Sequence, residues 1–203
     1  VASFAMLSLD LRVKRRWHSL YKGLEKGELY EGWLTTHLAR QVPCTGVHYF
    51  SLDGTAWPRP RARTMEDRQY VYHPTAAVNG GSICVGYPYS LLDWVPQSRS
   101  SWSLTVNLQR IPSTQTAREI GVQQIKALGK ARKGHSQGLD IVAADAKYGN
   151  GHFLRPLRGQ SCGIVVRLRK DRALYRAPEL PPVKRRGRPR VHGGRFAFKE
   201  PDS

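Results

Sequence analysis

The sequence predicts an α/β domain built on a mixed β-sheet, preceded by a helical segment and followed by a basic extended tail. Three observations carry that expectation. Between residues 47 and 169, short apolar runs with strand character alternate with segments of helical period. The longest helical segment opens on a capping box. Two of the apolar runs end on an aspartate, Asp53 and Asp145, in a chain of 203 residues with 33 Lys+Arg against 15 Asp+Glu.

Residues 1–45 read as helical and basic: Arg12, Lys14, Arg15 and Arg16 crowd together, and Trp17, Leu20, Tyr21 and Leu24 follow at helical spacing. Pro43 and Gly46 punctuate the chain, and the pattern then turns to strands. Val47 to Asp53 is the first, Gln69 to His73 the second and Ile83 to Tyr87 the third, the last two flanking the turn Asn79-Gly80-Gly81. These three read as an antiparallel meander. A helix over about 115–131 starts with Thr116-Ala117-Arg118-Glu119. It places Ala117, Ile120, Gly121, Ile125, Leu128 and Ala131 on one face. The fourth strand, 139–145, is apolar almost throughout, as suits a strand covered on both sides. A short helix near 150–158 leads to a fifth strand around Ile164, Val166 and Leu168. After Leu174, Pro178, Pro181 and Pro182 precede Lys184-Arg185-Arg186-Gly187-Arg188-Pro189-Arg190, which reads as a linker or arm.

The order β-β-β-α-β-α-β is that of a ribonuclease H-like domain, in which the first and fourth strands are neighbours. The chain then divides into a basic helical segment (1–45), a ribonuclease H-like core (46–173) and a Pro/Arg-rich arm (174–203). Neighbouring first and fourth strands bring Asp53 and Asp145 together. Paired aspartates suit hard divalent cations, which take oxygen ligands and stabilise charge on the attacking and leaving oxygens of a phosphodiester. The plainer reading makes both aspartates turn residues at strand ends. Asp140, at the far end of the fourth strand, reads as structural, and Asp171, among Arg169, Lys170 and Arg172, as an ion-pair or turn residue. Asp93, Asp67 and Glu66 are further acidic candidates. His73 and His152 read as packed or surface residues.

Charge narrows the partner. A formal net charge of +18 opposes compaction unless a polyanion neutralises it, and nucleic acid is the commonest such partner. No apolar run approaches a membrane span. Cys44, Cys84 and Cys162 fit neither a zinc spacing nor a disulfide framework and read as reduced, buried thiols of a cytoplasmic protein. The chain opens on Val1 rather than Met and trails off in polar residues, which reads as a fragment of a longer frame.

Two segments carry a resemblance to a family: Asp53-Gly54-Thr55-Ala56-Trp57-Pro58-Arg59-Pro60 and Ala144-Asp145-Ala146-Lys147-Tyr148-Gly149. With Gly86-Tyr87-Pro88-Tyr89-Ser90, Ser101-Trp102, Arg167 to Arg172 and Gly187 to Gly193, in that order, the chain resembles bacterial insertion-sequence transposases of the DDE superfamily over nearly its whole length. The resemblance implies DNA cleavage and strand transfer with two Mg²⁺ ions (Mn²⁺ as substitute), water and then a 3′ hydroxyl serving as nucleophiles. Asp53 would bridge the ions and Asp145 would ligate one. It implies double-stranded DNA, as transposon ends and target, for a partner, a cytoplasmic location in association with the nucleoid, and compatibility with a homodimer.

The family's third carboxylate, a glutamate on a late helix, has no counterpart that can be assigned. Glu179 and Glu200 alone follow the fifth strand, both beside proline-bearing linker. The chain therefore reads as the catalytic-domain fragment of a transposase, inactive by itself. The alternatives are a basic DNA-binding remnant without catalysis and a stand-alone ribonuclease H-like nuclease. Lys184, Arg185, Arg186, Arg188 and Arg190, with Arg59 and Arg61, are the expected DNA contacts. Arg186-Gly187-Arg188-Pro189 has AT-hook composition, but a linker touching phosphates without base preference is the favoured reading. Trp57 reads as support for the loop after Asp53 rather than as a base-stacking platform.

Overall fold

The structure, a computed structural model, describes residues 4–73, 82–97, 101–178 and 191–197. Helices α1 (Phe4–Leu7), α2 (Trp17–Lys26) and α3 (Glu31–Ala39) come first. Strands β1 (Val47–Pro58), β2 (Gln69–Tyr72), β3 (Ile83–Val95) and β4 (Leu104–Arg110) follow, then helix α4 (Ala117–Arg132) and β5 (Leu139–Ala144). A short helix α5 (Gly151–Leu154) runs into a 3₁₀ turn, Arg155–Leu157. Strands β6 (Gly163–Val166), β7 (Ala173–Tyr175) and β8 (Arg195–Ala197) complete the order.

The main sheet has the order β2-β3-β1-β5-β6, with β4 also on β3. β1 and β3 are antiparallel, whereas β5 lies parallel to both β1 and β6. This is a mixed sheet, as expected, with one change of membership. The meander is β1-β3-β4, not the first three strands in sequence order. β2 pairs only with the Ile83–Gly86 end of β3, and β4 takes the Tyr89–Trp94 end of the same edge.

Two strands exceed their expected limits. β3 runs on to Val95, and β1 continues past Asp53 to Pro58 because β3 pairs with it all the way, from Tyr49↔Val95 to Pro58↔Gly86. Asp53 is therefore inside a strand rather than at its end. β4 was not expected at all. The register shifts at Leu92/Asp93, so Val106 and Asn107 are both buried and the alternation that marks a strand is broken. The turn Asn79-Gly80-Gly81 lies outside the described residues.

Helix α4 packs one face of the sheet. Its capping box is formed: the Thr116 amide donates to Glu119 Oε2 (2.7 Å), and the Glu119 amide donates to Thr116 Oγ1 (3.3 Å). Ala117, Ile120, Gly121, Ile125, Leu128 and Ala131 are buried, as the 3.6-residue period requires. Ile125, Leu128 and Ala131 join the core of Phe50, Leu52, Leu92, Val142, Tyr148 and Phe153, while Ala117 and Ile120 pack with Ile111 in a smaller cluster. Gly121 is demanded by proximity: a Cβ there would lie 2.9 Å from Leu52 Cδ2 and 3.1 Å from Tyr148 Cε1. Gln124, fully buried, is satisfied by Ser90 and Asn107, so it adds specificity to the helix–sheet register without an unpaired amide.

At the amino end of β5, Arg132 is 2% exposed. It grips Asp140 in a bidentate pair (2.7 and 2.9 Å) and donates to the carbonyls of Ala39, Val42 and Pro43. Asp140 also faces His48 Nδ1 at 2.9 Å. This cluster ties the end of α3 to β1 and β5, and Ala39 and Val42 join the main core. By contrast, α2 buries none of its residues, and Trp17, Tyr21 and Leu24 are exposed. β7 pairs with β8 in a small second sheet, more regular than the arm suggested by the sequence; residues 179–190 between them are outside the described set. Cys44 is exposed and Cys84 and Cys162 are half-buried, so the expectation of buried thiols fails; Cys44 sits in the surface connection before β1. Burial raises the Cys162 thiol above its ordinary pKa. Among the described residues no helix is long and apolar enough to cross a membrane.

Candidate active site

The parallel pairing of β1 with β5 ends at Leu52↔Ala144. Asp53 and Asp145 are the next residues on the two strands, so residues far apart in sequence stand side by side at the carboxyl end of β5. They are held differently. Asp53 is locked in the ribbon by its β3 partner Leu91, and its Oδ1 accepts from the Gly54 amide at 2.7 Å. Asp145 starts a tight turn in which its Oδ1 accepts from the Lys147 amide at 2.9 Å. Both side chains are exposed, and neither Oδ2 has a hydrogen bond among the described residues.

Tyr148 forms the floor beneath them. It is fully buried against Phe153, with ring centroids 5.0 Å apart. Burial, first, and then the charges of Asp145 and Asp53 push its phenol above the ordinary value, while Ser90 opposes the shift. Both carboxylates thus act on one buried ring. The Tyr148 hydroxyl is buried and unbonded although the Ser90 hydroxyl lies nearby. Two carboxylate oxygens without partners among the described residues, side by side at the strand ends, suit a hard divalent cation. Among the described residues no third His, Cys, Asp or Glu completes a metal-binding group.

The other acidic candidates are placed elsewhere. Asp93 sits opposite Ser51 on β3 with Oδ1 buried and unbonded. Asp67 adopts φ 52° and binds Arg110 and the Ser113 amide. Ser113 first and Arg110 second hold its pKa below the usual carboxylate value. The Glu66 carbonyl accepts from the Tyr87 hydroxyl. Asp171 lies in the turn after β6 and makes no ion pair among the described residues.

Of the expected DNA contacts, Arg59 stacks its guanidinium 3.5 Å from the Trp57 ring centroid, and Trp57 itself is 43% exposed. Arg59 and Arg61 follow the end of β1. At about 3.3 Å per residue, Pro58 is roughly 16 Å along the strand from Asp53. Lys184, Arg185, Arg186, Arg188, Arg190, Glu179 and Glu200 lie outside the described residues.

A solvent-open cleft of about 560 Å³ adjoins Asp145, lined by Lys147, Asn150, Arg118, Arg169 and Arg172 among others. Lys147, Tyr148, Arg169 and Arg172 carry no site signal of their own in the sequence; the pairing of β5 with β1 and β6 makes them converge.

No curated protein matches the chain. Among solved structures it is similar to the piggyBac transposase in a synaptic complex with hairpin DNA. The identity is 17% and the TM-score 0.40, covering 89% of this chain and 34% of that one. It is also similar to the Mos1 strand transfer complex (10% identity, TM-score 0.32, 81% of this chain and 53% of that chain). A third likeness is to Mos1 transposase in a paired-end complex with the left transposon end (11%, 0.31, 81% and 54%). The chain thus spans 34% to 54% of the length of these transposase chains. The family model of the DDE superfamily endonucleases matches residues 2–203, and the chain belongs to that family.

Proposed function

We propose that this chain is the catalytic core of a DNA transposase, with Asp53 and Asp145 as its metal-binding carboxylates and double-stranded DNA as its substrate. Endonucleases of the DDE superfamily generally use divalent metals. The observation that carries the assignment is the placement of Asp53 and Asp145 one residue beyond the last β1–β5 pair, each with an oxygen to spare. A divalent ion held there, Mg²⁺ or Mn²⁺, supplies activation of an attacking oxygen and neutralisation of the leaving one.

The chain's own residues do the rest. β3 fixes Asp53 on a paired strand, and the Lys147 amide orients Asp145. Tyr148 and Phe153 close the site from below and keep water out of the core beneath the carboxylates. Arg59, Arg61 and the basic segment 184–190 provide cations for the DNA backbone. Among the described residues these two carboxylates alone would hold the ions, short of a full ligand set. The chain alone is therefore expected to cut orders of magnitude more slowly than a site with a full ligand set. The test is nicking of supercoiled plasmid with Mg²⁺, using Asp53→Ala as the control for contaminating nuclease. Brisk nicking that vanishes in Asp53→Ala would overturn the expectation of a slow chain, whereas nicking equal in parent and variant is contaminating nuclease.

A further inference from the structure

The cleft beside Asp145 has a charge pattern that the metal site does not explain. Arg118, Lys147, Arg169 and Arg172 line it against the single carboxylate of Asp145. None of Lys147, Arg169 and Arg172 makes an ion pair among the described residues, which leaves Asp145 as the carboxylate on the cleft wall.

Backbone contacts put these cations in one place. Lys147 rides on the Asp145 turn, which is braced by the Asn150 side-chain Nδ2 donating to the Lys147 carbonyl at 3.2 Å. Its Nζ reaches across to the other aspartate's strand, where a Cβ on Gly54 would lie 3.7 Å from it. The Arg167 amide donates to the Ala144 carbonyl at 3.1 Å, tying the exit of β6 to the exit of β5. Arg169 and Arg172 follow in a turn closed by the Arg172 amide on the Arg169 carbonyl.

We infer that this cleft is a phosphate-binding subsite that seats the DNA backbone next to the phosphodiester at Asp53 and Asp145, with Lys147, Arg169 and Arg172 as its positioning residues. Its volume falls in the range of roughly 300–1,000 Å³ that holds nucleotide-sized ligands, well beyond a lone ion. It is lined by cations and open to solvent, which suits a polyanion passing through rather than an enclosed small molecule. Guanidinium groups bind phosphate in a bidentate fork and fix its orientation as well as its charge. Seating one phosphate fixes which neighbouring phosphate meets the carboxylates. The inference rests on the reading of the chain as a DNA-processing core, but not on metal occupancy.

The test uses the full chain in EDTA, so that metal binding plays no part. Binding of a duplex oligonucleotide is followed by fluorescence anisotropy across a salt series. Thermal midpoints are measured in parallel with inorganic pyrophosphate. Each lost phosphate contact lowers the slope of log affinity against log salt by about 0.9, so Arg169→Gln/Arg172→Gln is expected to lower it by about 2. Pyrophosphate should raise the midpoint of the parent chain and not of this variant. Arg169→Lys/Arg172→Lys should restore the slope, which a merely misfolded variant could not do. An unchanged slope together with an unchanged pyrophosphate effect would overturn the subsite. A lost pyrophosphate effect with an unchanged slope would overturn DNA as its ligand. Failure of the metal assignment is read separately, in the response of the parent chain to Mg²⁺.

Discussion

Replacing Arg132 by Met tests how the start of β5, and with it the placement of Asp145, is anchored. The side chain keeps its approximate length but loses the guanidinium. Asp140, 8% exposed, would be left with His48 alone, and the carbonyls of Ala39, Val42 and Pro43 would lose their donor. Removing one partner of a buried ion pair costs about 3–5 kcal/mol, because the remaining charge stays buried without compensation. That is a large part of a total stability of roughly 5–15 kcal/mol. At about 2–4 °C per kcal/mol for a chain of this size, the thermal midpoint should fall by some 6–20 °C. Urea denaturation followed by tryptophan fluorescence measures the loss directly. Asp140→Leu on top of Arg132→Met should recover part of it, since the orphaned carboxylate goes while the three carbonyls remain unpaired. A loss below about 1 kcal/mol for Arg132→Met would refute the view that this pair anchors the sheet.

Two further expectations concern Tyr148 and the tail. Tyr148→Phe removes a buried hydroxyl with no partner, so below pH 10 the metal-free variant should be as stable as the parent or about 1 kcal/mol better. The folded phenol's pKa lies above the ordinary value of 10.0, so its contribution is full below that pH and is lost as pH rises through the folded value. Alkaline titration of stability should therefore turn in favour of the Phe variant, and a parallel pair of curves would count against the placement of the ring. Deleting residues 184–195, which carry six Lys+Arg, should lower the salt slope of DNA binding by several units. An unchanged slope would show that the segment is not a DNA-binding arm.

Much of the sheet was legible because its signals are local. The capping box at Thr116, the 3.6-residue stripe on α4 and the apolar run of β5 each identify their element without tertiary help. The adjacency of Asp53 and Asp145 followed from strand order alone. What stayed hidden depends on pairing. β1 runs through Asp53 to Pro58 because β3 reaches that far, and no residue in Gly54-Thr55-Ala56-Trp57 signals it. β4 lost its alternation to a register shift, and β2 was expected between β1 and β3, which pair directly with each other. The cationic cleft depends on β6 exiting beside β5, which brings Arg169 and Arg172 up to Lys147. Arg132 sits in a helix tail rich in basic residues, and nothing in Lys130-Ala131-Arg132-Lys133 marks it as the buried one.

The most direct test of the metal assignment is the thermal midpoint of the parent chain, Asp53→Ala and Asp145→Ala, each with and without Mg²⁺. At ten times the dissociation constant, a ligand bound by the folded state alone adds about 1.4 kcal/mol. For a chain of this size that is a rise of about 3–6 °C. The rise should appear in the parent and vanish in both variants, while Asp171→Ala keeps it. A rise that survives both substitutions would place the metal elsewhere and contradict the assignment of Asp53 and Asp145.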